Sequence, residues 1–330
     1  MKRVVSLTLA VALLAAFGLF NASRLFNTAK AQGQGQPPIE AGGGAPEVIK
    51  HRTNPHAVDG SVTAGSTAAS TSPLTYHGGA LIGTPTIYLI WYGSWNGTVS
   101  SSDSPTGQQI VRDFASGIGG SNYFHINTTN SAGGQTITGN VNFTPTLNET
   151  TDAYSQGSRL RDSGVLTVVN NAITSGRLPY DKSGVYFVLS SSDVAESSGF
   201  CTQYCGWHTA ATPTAGHVRY SFVGNAARCL SSCAAQSVSP NSNPGVDGMI
   251  SVIAHELEEA TTDADPRSGW VDSGGSENAD KCAWTFGSRQ TTLPSGAVYN
   301  MTLGVRNFLI QRNLSATDNK CYIDGILGYQ

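Results

Sequence analysis

The sequence predicts an α/β (α+β) fold: an αβα sandwich with one mixed sheet and a loop-rich, disulfide-stapled C-terminal part. Short runs of β-branched and aromatic residues predict buried strands, and they alternate with segments whose apolar residues recur at helical spacing. The resulting order is strand, helix, strand, helix, strand, strand, helix. That order is typical of helices layered on a single sheet.

The first half of the domain supplies three of these elements. Residues 84–92 form a continuous β-branched and aromatic run, which predicts a buried strand. Residues 107–118 carry apolar side chains at helical spacing and predict a helix. Residues 135–144 alternate apolar and polar side chains, so we expect a half-exposed strand there.

The second half continues the alternation. Residues 158–175 predict a helix that Gly176 stops, and residues 184–190 predict a central strand. Residues 217–223 predict an edge strand, and residues 246–262 predict a further helix. A strand pair is expected near residues 297–302 and 307–311.

Composition places the chain among exported proteins. Lys2 and Arg3 precede a long apolar run, and a small-x-small cleavage site follows, so residues 1–31 are interpreted as a signal peptide. An uncleaved membrane anchor is the alternative, although cleavage would leave no stable membrane insertion. Residues 32–72 are rich in Gly, Pro and Ser and predict a flexible tether, and residues 73–330 predict one globular domain. We therefore expect a secreted protein of the extracellular space, cell wall or periplasm.

Charge excludes one class of partner. The formal net charge is −3, and the sequence has no basic run. A nucleic-acid-binding protein needs a basic patch to contact phosphates, so nucleic acid is excluded as a partner.

Six cysteines in an exported chain predict disulfides rather than free thiols. Two Cys-x-x-x-Cys pairs could instead hold zinc, but an oxidising compartment favours bridges. Spacing alone does not choose among the 15 pairings that six cysteines allow. We expect the bridges to staple the loops around the acidic segment formed by residues 246–284.

That acidic segment is the unusual part of the chain. Between Asp247 and Asp280 lie nine of the 22 carboxylates, and Arg267 is the only Lys or Arg among them. Such a surplus repels itself unless water screens it or a cation lies within it. The segment therefore predicts a metal site.

The helix predicted at residues 246–262 presents two donors on one side. At about 100 degrees per residue, Glu259 falls about 40 degrees from His255, so the two side chains stack. Apolar side chains gather on the far side, where they can pack on a sheet, and Glu256 lies on the flank. The alternative is a solvated amphipathic helix without a metal.

The arrangement is close to the His-Glu-x-x-His pattern of zinc helices, with Glu259 in place of the second histidine. His255, Glu259 and Glu277 are the predicted metal ligands, and Glu256 is the predicted general base. Asp280 could orient His255, and either Asp280 or His208 is the next candidate ligand. Zn²⁺ is the predicted cofactor. This part of the chain resembles the zincin metallopeptidases whose third ligand is a downstream glutamate.

Calcium is a further alternative. The carboxylates that could hold it follow the helix in a glycine-containing loop, and all are hard oxygen donors. This loop leaves His255 without a role, which favours zinc. The four candidate calcium ligands are Asp263, Asp265, Asp272 and Glu277.

Several longer motifs carry a resemblance to a known family. They occupy residues 74–79, 87–95, 111–114, 200–208 and 245–256. The chain from about residue 74 to residue 321 is similar to the EXORDIUM, or phosphate-induced protein 1, family. The resemblance implies an extracellular protein related to plant wall and apoplast proteins, and it implies no particular reaction.

Two functions follow from these observations. In the first, the protein is a secreted zinc-dependent hydrolase, peptidase-like, acting on a peptide or a cell-wall component. In the second, it is a non-catalytic extracellular binding or signalling protein with a structural or vestigial metal site. A retained Glu256 favours the first, and the missing second histidine favours the second.

Overall fold

The computed structural model describes residues 72–324 and the backbone of residues 47–50. The strands are β1 (Glu47–Lys50), β2 (Thr75–Tyr76), β3 (Thr86–Tyr92), β4 (Glu149–Asp152), β5 (Arg159–Leu160), β6 (Gly184–Ser190), β7 (Ala195–Glu196), β8 (Tyr204–Ala211), β9 (Val218–Gly224), β10 (Trp270–Val271), β11 (Thr291–Thr292), β12 (Val298–Tyr299), β13 (Met301–Leu303), β14 (Arg306–Phe308), β15 (Asn313–Ser315) and β16 (Lys320–Tyr322). The α-helices are α1 (Pro105–Gly117), α2 (Asp162–Thr174), α3 (Leu230–Cys233) and α4 (Pro244–Thr262). Three 3-10 helices span Phe124–Asn130, Ala226–Arg228 and Asp280–Cys282.

One mixed sheet organises the domain, as predicted. Its order is β1-β8-β9-β6-β3-β4. Strands β4, β3, β6 and β9 are parallel, and β8 runs antiparallel to β9. Five of the strands belong to residues 72–324, and β1 adds to the edge of β8 in antiparallel register.

Helices α2 and α4 both pack against β6 and β9, and α4 also covers β8. All seven residues of β6 are buried, as expected for a central strand. The helices begin where the sequence favours it. Ser104 accepts a hydrogen bond from the Gly107 backbone before α1, and Asn243 accepts one from Val246 before α4. Both α1 and α4 then start with a proline, whose missing N–H costs nothing at that position.

Most predicted elements are confirmed within a few residues of their bounds, but the half-exposed strand at residues 135–144 is wrong. The segment contributes only isolated bridges, from Asn142 to Thr86 and from Gln135 to Ala132. Successive residues of the segment do alternate between buried or half-buried and exposed. Gly139, however, has a φ of 76°, and this left-handed residue interrupts the extended backbone that a ladder requires.

The edge position predicted for residues 217–223 is also wrong. Strand β9 lies inside the sheet, because β8 pairs along its other side. The sequence of β8, Tyr-Cys-Gly-Trp-His-Thr-Ala-Ala, mixes strand formers with Gly, His and Ala, so propensity alone does not mark it.

The C-terminal part is loop-rich, with short hairpins, as expected. Strands β13 and β14 pair where the strand pair was predicted. All six cysteines form disulfides, which excludes the thiolate zinc alternative. The bridges are Cys201–Cys229, Cys205–Cys233 and Cys282–Cys321.

The signal peptide predicted at residues 1–31 lies outside the described residues, as does the predicted tether apart from residues 47–50 and 72. The part of the chain that the structure describes has no helix long and apolar enough to cross a membrane.

Replacing Val188 by alanine tests the central strand. Val188 is fully buried in β6, so deleting two carbon atoms leaves a cavity and should lower the free energy of unfolding by about 2 kcal/mol. Val305 is 97% exposed, and the same change there should have almost no effect. Equal shifts of the denaturation midpoint in the two variants would contradict the central position of β6.

Candidate metal centre

Helix α4 lies unusually close to β8, and Gly206 permits the approach. A Cβ atom on Gly206 would lie 2.5 Å from Cγ1 of Val252 and 3.2 Å from Oε1 of Glu256. No side chain fits in that space without displacing the helix. His208 follows two residues later in the same strand, so its side chain leaves the same face of β8 and points towards α4.

The stacked pair predicted on α4 is confirmed. Nε2 of His255 lies 2.9 Å from Oε1 of Glu259, one helical turn away. Asp280 closes the group from the 3-10 helix that follows α4 in the chain. Its Oδ1 lies 3.6 Å from the same His255 nitrogen, and its backbone N–H donates to Oε1 of Glu259 over 3.0 Å. His255, Glu259 and Asp280 thus form one set of donors close enough to share an ion.

A second set lies beside the first. Nε2 of His208 is 2.9 Å from Oε2 of Glu277 and 3.7 Å from Oε2 of Glu259. His208, Glu256 and Glu259 also offer atoms close enough to share an ion. Glu259 therefore belongs to both sets. Glu277, the predicted third ligand of His255, contacts His208, and Asp280 takes the place beside His255.

The whole group is enclosed. Every residue of α4 from Gly245 to Thr262 is buried, so the alternative of a solvated amphipathic helix is wrong. His255, Glu256, Glu259 and Glu277 are 0% exposed, and His208 is 1% exposed. The Asp280 side chain is 17% exposed and lies at the outer side of the group.

Burial and mutual charge shift the titration of these groups in opposite directions. Burial, helped by the nearby His255, lowers the pKa of His208 to about 3. Burial raises the pKa of Glu259 to about 7. Burial alone would lower the pKa of His255, but the carboxylates of Glu259, Asp280 and Glu256 together outweigh it and hold that pKa well above its usual range. A cation bound among the carboxylates would replace the proton that His255 otherwise carries.

Glu258 of α4 and the Nδ1 atoms of the two histidines lie outside both donor sets. Glu258 accepts a hydrogen bond from the Tyr123 hydroxyl over 3.0 Å, and burial raises the pKa of Glu258 well above its usual range. Nδ1 of His208 and Nδ1 of His255 have no hydrogen-bond partner among the described residues. Packing rather than a hydrogen bond at Nδ1 therefore holds the two rings.

The carboxylates considered for calcium do not converge on one point, although the side chains of Asp263 and Glu277 are in hydrogen-bond contact. Asp263 ends α4 and accepts backbone hydrogen bonds from the following loop. Asp265 pairs with His217 and Arg219 at the surface. Asp272 pairs with Lys281, and Glu277 lies against His208.

The buried pair of Asp272 and Lys281 holds the segment that carries Glu277 and Asp280. Nζ of Lys281 lies 2.8 Å from Oδ2 of Asp272, and both side chains are at most 1% exposed. The Cys282–Cys321 bridge fixes the next residue of the segment. The nearest lysine in sequence is thus used to position the donors and not to neutralise them.

Comparison with known proteins identifies the relatives of this chain. Residues 74–323 match the conserved region of phosphate-induced protein 1. The chain belongs to the phosphate-induced protein 1 family. The matched region contains every donor of the centre, from His208 to Asp280. No solved structure matches the chain significantly.

Plant proteins are among the relatives that this chain resembles. Protein EXORDIUM-like 3 of Arabidopsis thaliana is 30% identical over 277 residues, covering 72% of this chain and 79% of the relative. Protein EXORDIUM-like 5 of the same plant is 27% identical, over 72% of this chain and 74% of the relative. Protein PHOSPHATE-INDUCED 1 of Nicotiana tabacum is 26% identical, over 57% and 64% respectively.

Replacing Lys281 by methionine tests how the donors are positioned. The change removes the ammonium from Asp272 inside the protein, and we expect a loss of about 3 kcal/mol in the free energy of unfolding. Adding Asp272→Asn to that variant removes the remaining charge and should recover part of the loss. Urea denaturation of the two variants measures both effects. A double variant no more stable than Lys281→Met would contradict the paired role.

Proposed function

We propose that this protein is an extracellular metal-dependent hydrolase whose cation is held by His255, Glu259 and Asp280. One observation carries the proposal: an imidazole and two carboxylates from two segments converge in a buried space at ligand-like distances. Taking carboxylates out of water costs several kcal/mol each unless a positive charge accompanies them. A divalent cation supplies that charge directly.

The distances suit zinc. Two ligands about 2.0 to 2.2 Å from one zinc ion, at tetrahedral or slightly smaller angles, lie about 3 to 3.5 Å apart. The separations from Nε2 of His255 are 2.9 Å to Glu259 and 3.6 Å to Asp280. Zinc accepts imidazole and carboxylate together, so a glutamate at the second helical position does not remove the site. The proposal also includes a zincin-like arrangement, in which the helix that carries the metal ligands lies on a mixed sheet.

Glu256 is the proposed general base. It directly follows His255 in α4, and its carboxylate is close enough to His208 and Glu259 to share an ion with them. A cation at this centre would supply Lewis-acid activation of water. Glu256 would accept the proton of the attacking water and deliver it to the leaving amine as the peptide bond breaks.

An extended peptide is the proposed substrate class. The side of β8 opposite β9 hydrogen-bonds an extended chain, since the protein's own β1 pairs along it with Glu47 opposite His208. Addition of a strand to a sheet edge is a common way to bind peptides. A substrate that took the place of β1 along this edge would run directly beside the donors. Extracellular action agrees with the three disulfides, which persist where thiols are oxidised.

The enclosure of the centre favours a second function. Structural metal sites are closed, whereas catalytic sites keep a position open for water or substrate. Most donors here are fully buried, and the partly exposed Asp280 marks the outer side. In this alternative the protein is an extracellular binding or signalling protein, and the cation stabilises its fold.

The purified full chain should carry zinc, and His255→Ala should lose the ion held by this residue because an imidazole ligand is removed. Elemental analysis after dialysis measures the change. His217→Ala is the matched control, since His217 pairs with Asp265 at the surface and should retain the metal. Circular dichroism verifies that both variants are folded. Wild-type protein without bound transition metal after dialysis against zinc would refute the proposal.

Glu256→Gln should keep the cation beside His255 and lower peptide hydrolysis by a factor of about 100 or more, because an amide is not a general base. Glu258→Gln is the control on the same helix, since Glu258 is equally buried but contacts Tyr123. Hydrolysis of a broad peptide library measures the effect. Metal-loaded wild type without activity on any peptide would support the non-catalytic function instead.

A further inference from the structure

Glu259 joins the two donor sets of the centre. Its Oε1 lies 2.9 Å from Nε2 of His255, and its Oε2 lies 3.7 Å from Nε2 of His208. The two oxygens of the carboxylate therefore face different imidazoles. A carboxylate placed in this way can bind two cations, one through each oxygen.

The second oxygen supplies an independent observation. Oε2 of Glu259 is buried, and within residues 72–324 it has no hydrogen-bond partner. Leaving a buried carboxylate oxygen without a partner is unfavourable, because nothing compensates for its lost hydration. Oε2 points towards His208, whose Nε2 is also 2.9 Å from Glu277. This side of the centre has the same ligand-like distances as the side around His255.

Charge counting also favours two cations. The four carboxylates of the centre carry four negative charges when ionised, and both imidazoles must be neutral to bind metal. One divalent cation would leave two of these four negative charges unbalanced, whereas two cations would balance all four. The buried Asp263 is in hydrogen-bond contact with Glu277, which requires a proton between the two carboxyl groups, so Asp263 does not change this balance. Nearby cationic side chains are used elsewhere: Lys281 pairs with Asp272, and Arg219 pairs with Asp265. The four carboxylates are Glu256, Glu259, Glu277 and Asp280.

We propose that the centre binds two divalent cations bridged by the carboxylate of Glu259. His255 and Asp280 complete the first position. His208 and Glu256 complete the second, with Glu277 beside His208 as a further donor. This proposal rests on the proposed function for the presence of metal and adds the number of ions. It also gives a role to His208, which a single ion at His255 leaves unused.

Glu256 can still act as the general base when it binds the second cation. One oxygen of Glu256 is enough for the second cation, because a carboxylate can bind through a single atom. The other oxygen remains a proton acceptor. Two cations bridged by one carboxylate lie about 3.5 to 4 Å apart, the spacing at which paired ions act together in hydrolysis.

Metal stoichiometry tests the proposal. The full chain is dialysed against zinc and then against metal-free buffer, and zinc per chain is measured by elemental analysis. We expect two ions in the wild type, one in His208→Ala and one in His255→Ala. His217→Ala should retain two, because its pair with Asp265 is at the surface.

Substitution of manganese for zinc gives a second measurement. Two Mn²⁺ ions about 4 Å apart give a spin-coupled electron paramagnetic resonance spectrum, which isolated ions at separate surface sites do not. We expect coupling in the wild type and its loss in both His208→Ala and His255→Ala. One zinc ion in the wild type, retained in His208→Ala, would overturn the two-cation centre and leave the proposed function standing. Two ions without coupling would overturn it equally, and no ion at all would overturn both proposals.

Discussion

The central constraint on this fold is the enclosure of several carboxylates and two imidazoles between helix α4 and strand β8. Charges of one sign are costly inside a protein, and the cost rises as water is excluded. In this chain the donors come from β8, from α4 and from the segment before the last disulfide. The fold brings these three elements to one place, and their packing is stable only if the enclosed charge is neutralised.

The reversal of strand direction at β8 creates the position for this group. The parallel strands β4, β3, β6 and β9 form the body of the sheet, and β8 continues it in the opposite direction. Gly206 lets α4 lie directly over this strand, and the His208 side chain then reaches Glu259 of the helix. The centre is therefore a product of tertiary packing across a sheet edge, supported by a single helix that is buried from Gly245 to Thr262.

The sequence predicted the parts of the molecule that periodicity controls. Strands β3 and β6 and helix α4 follow from apolar spacing, and the stacking of His255 on Glu259 follows from the helical repeat. The position of His208 did not follow, because β8 has mixed composition and its pairing is non-local. Asp280, and not Glu277, lies beside His255. This placement depends on the conformation of a short loop, which sequence spacing does not determine. The pairing of the cysteines is non-local for the same reason.

Two of the disulfides fix the segments that carry the metal donors. Cys205 lies next to Gly206 in β8, and its bridge to Cys233 anchors the strand that carries His208. Cys282 likewise follows the segment that carries Asp280. Both bridges persist only under oxidising conditions, so we expect the donors to reach their final positions after the chain has left a reducing compartment. The proposed cations would then come from the oxidising medium around the chain, and their supply there would set the fraction of molecules that are fully assembled.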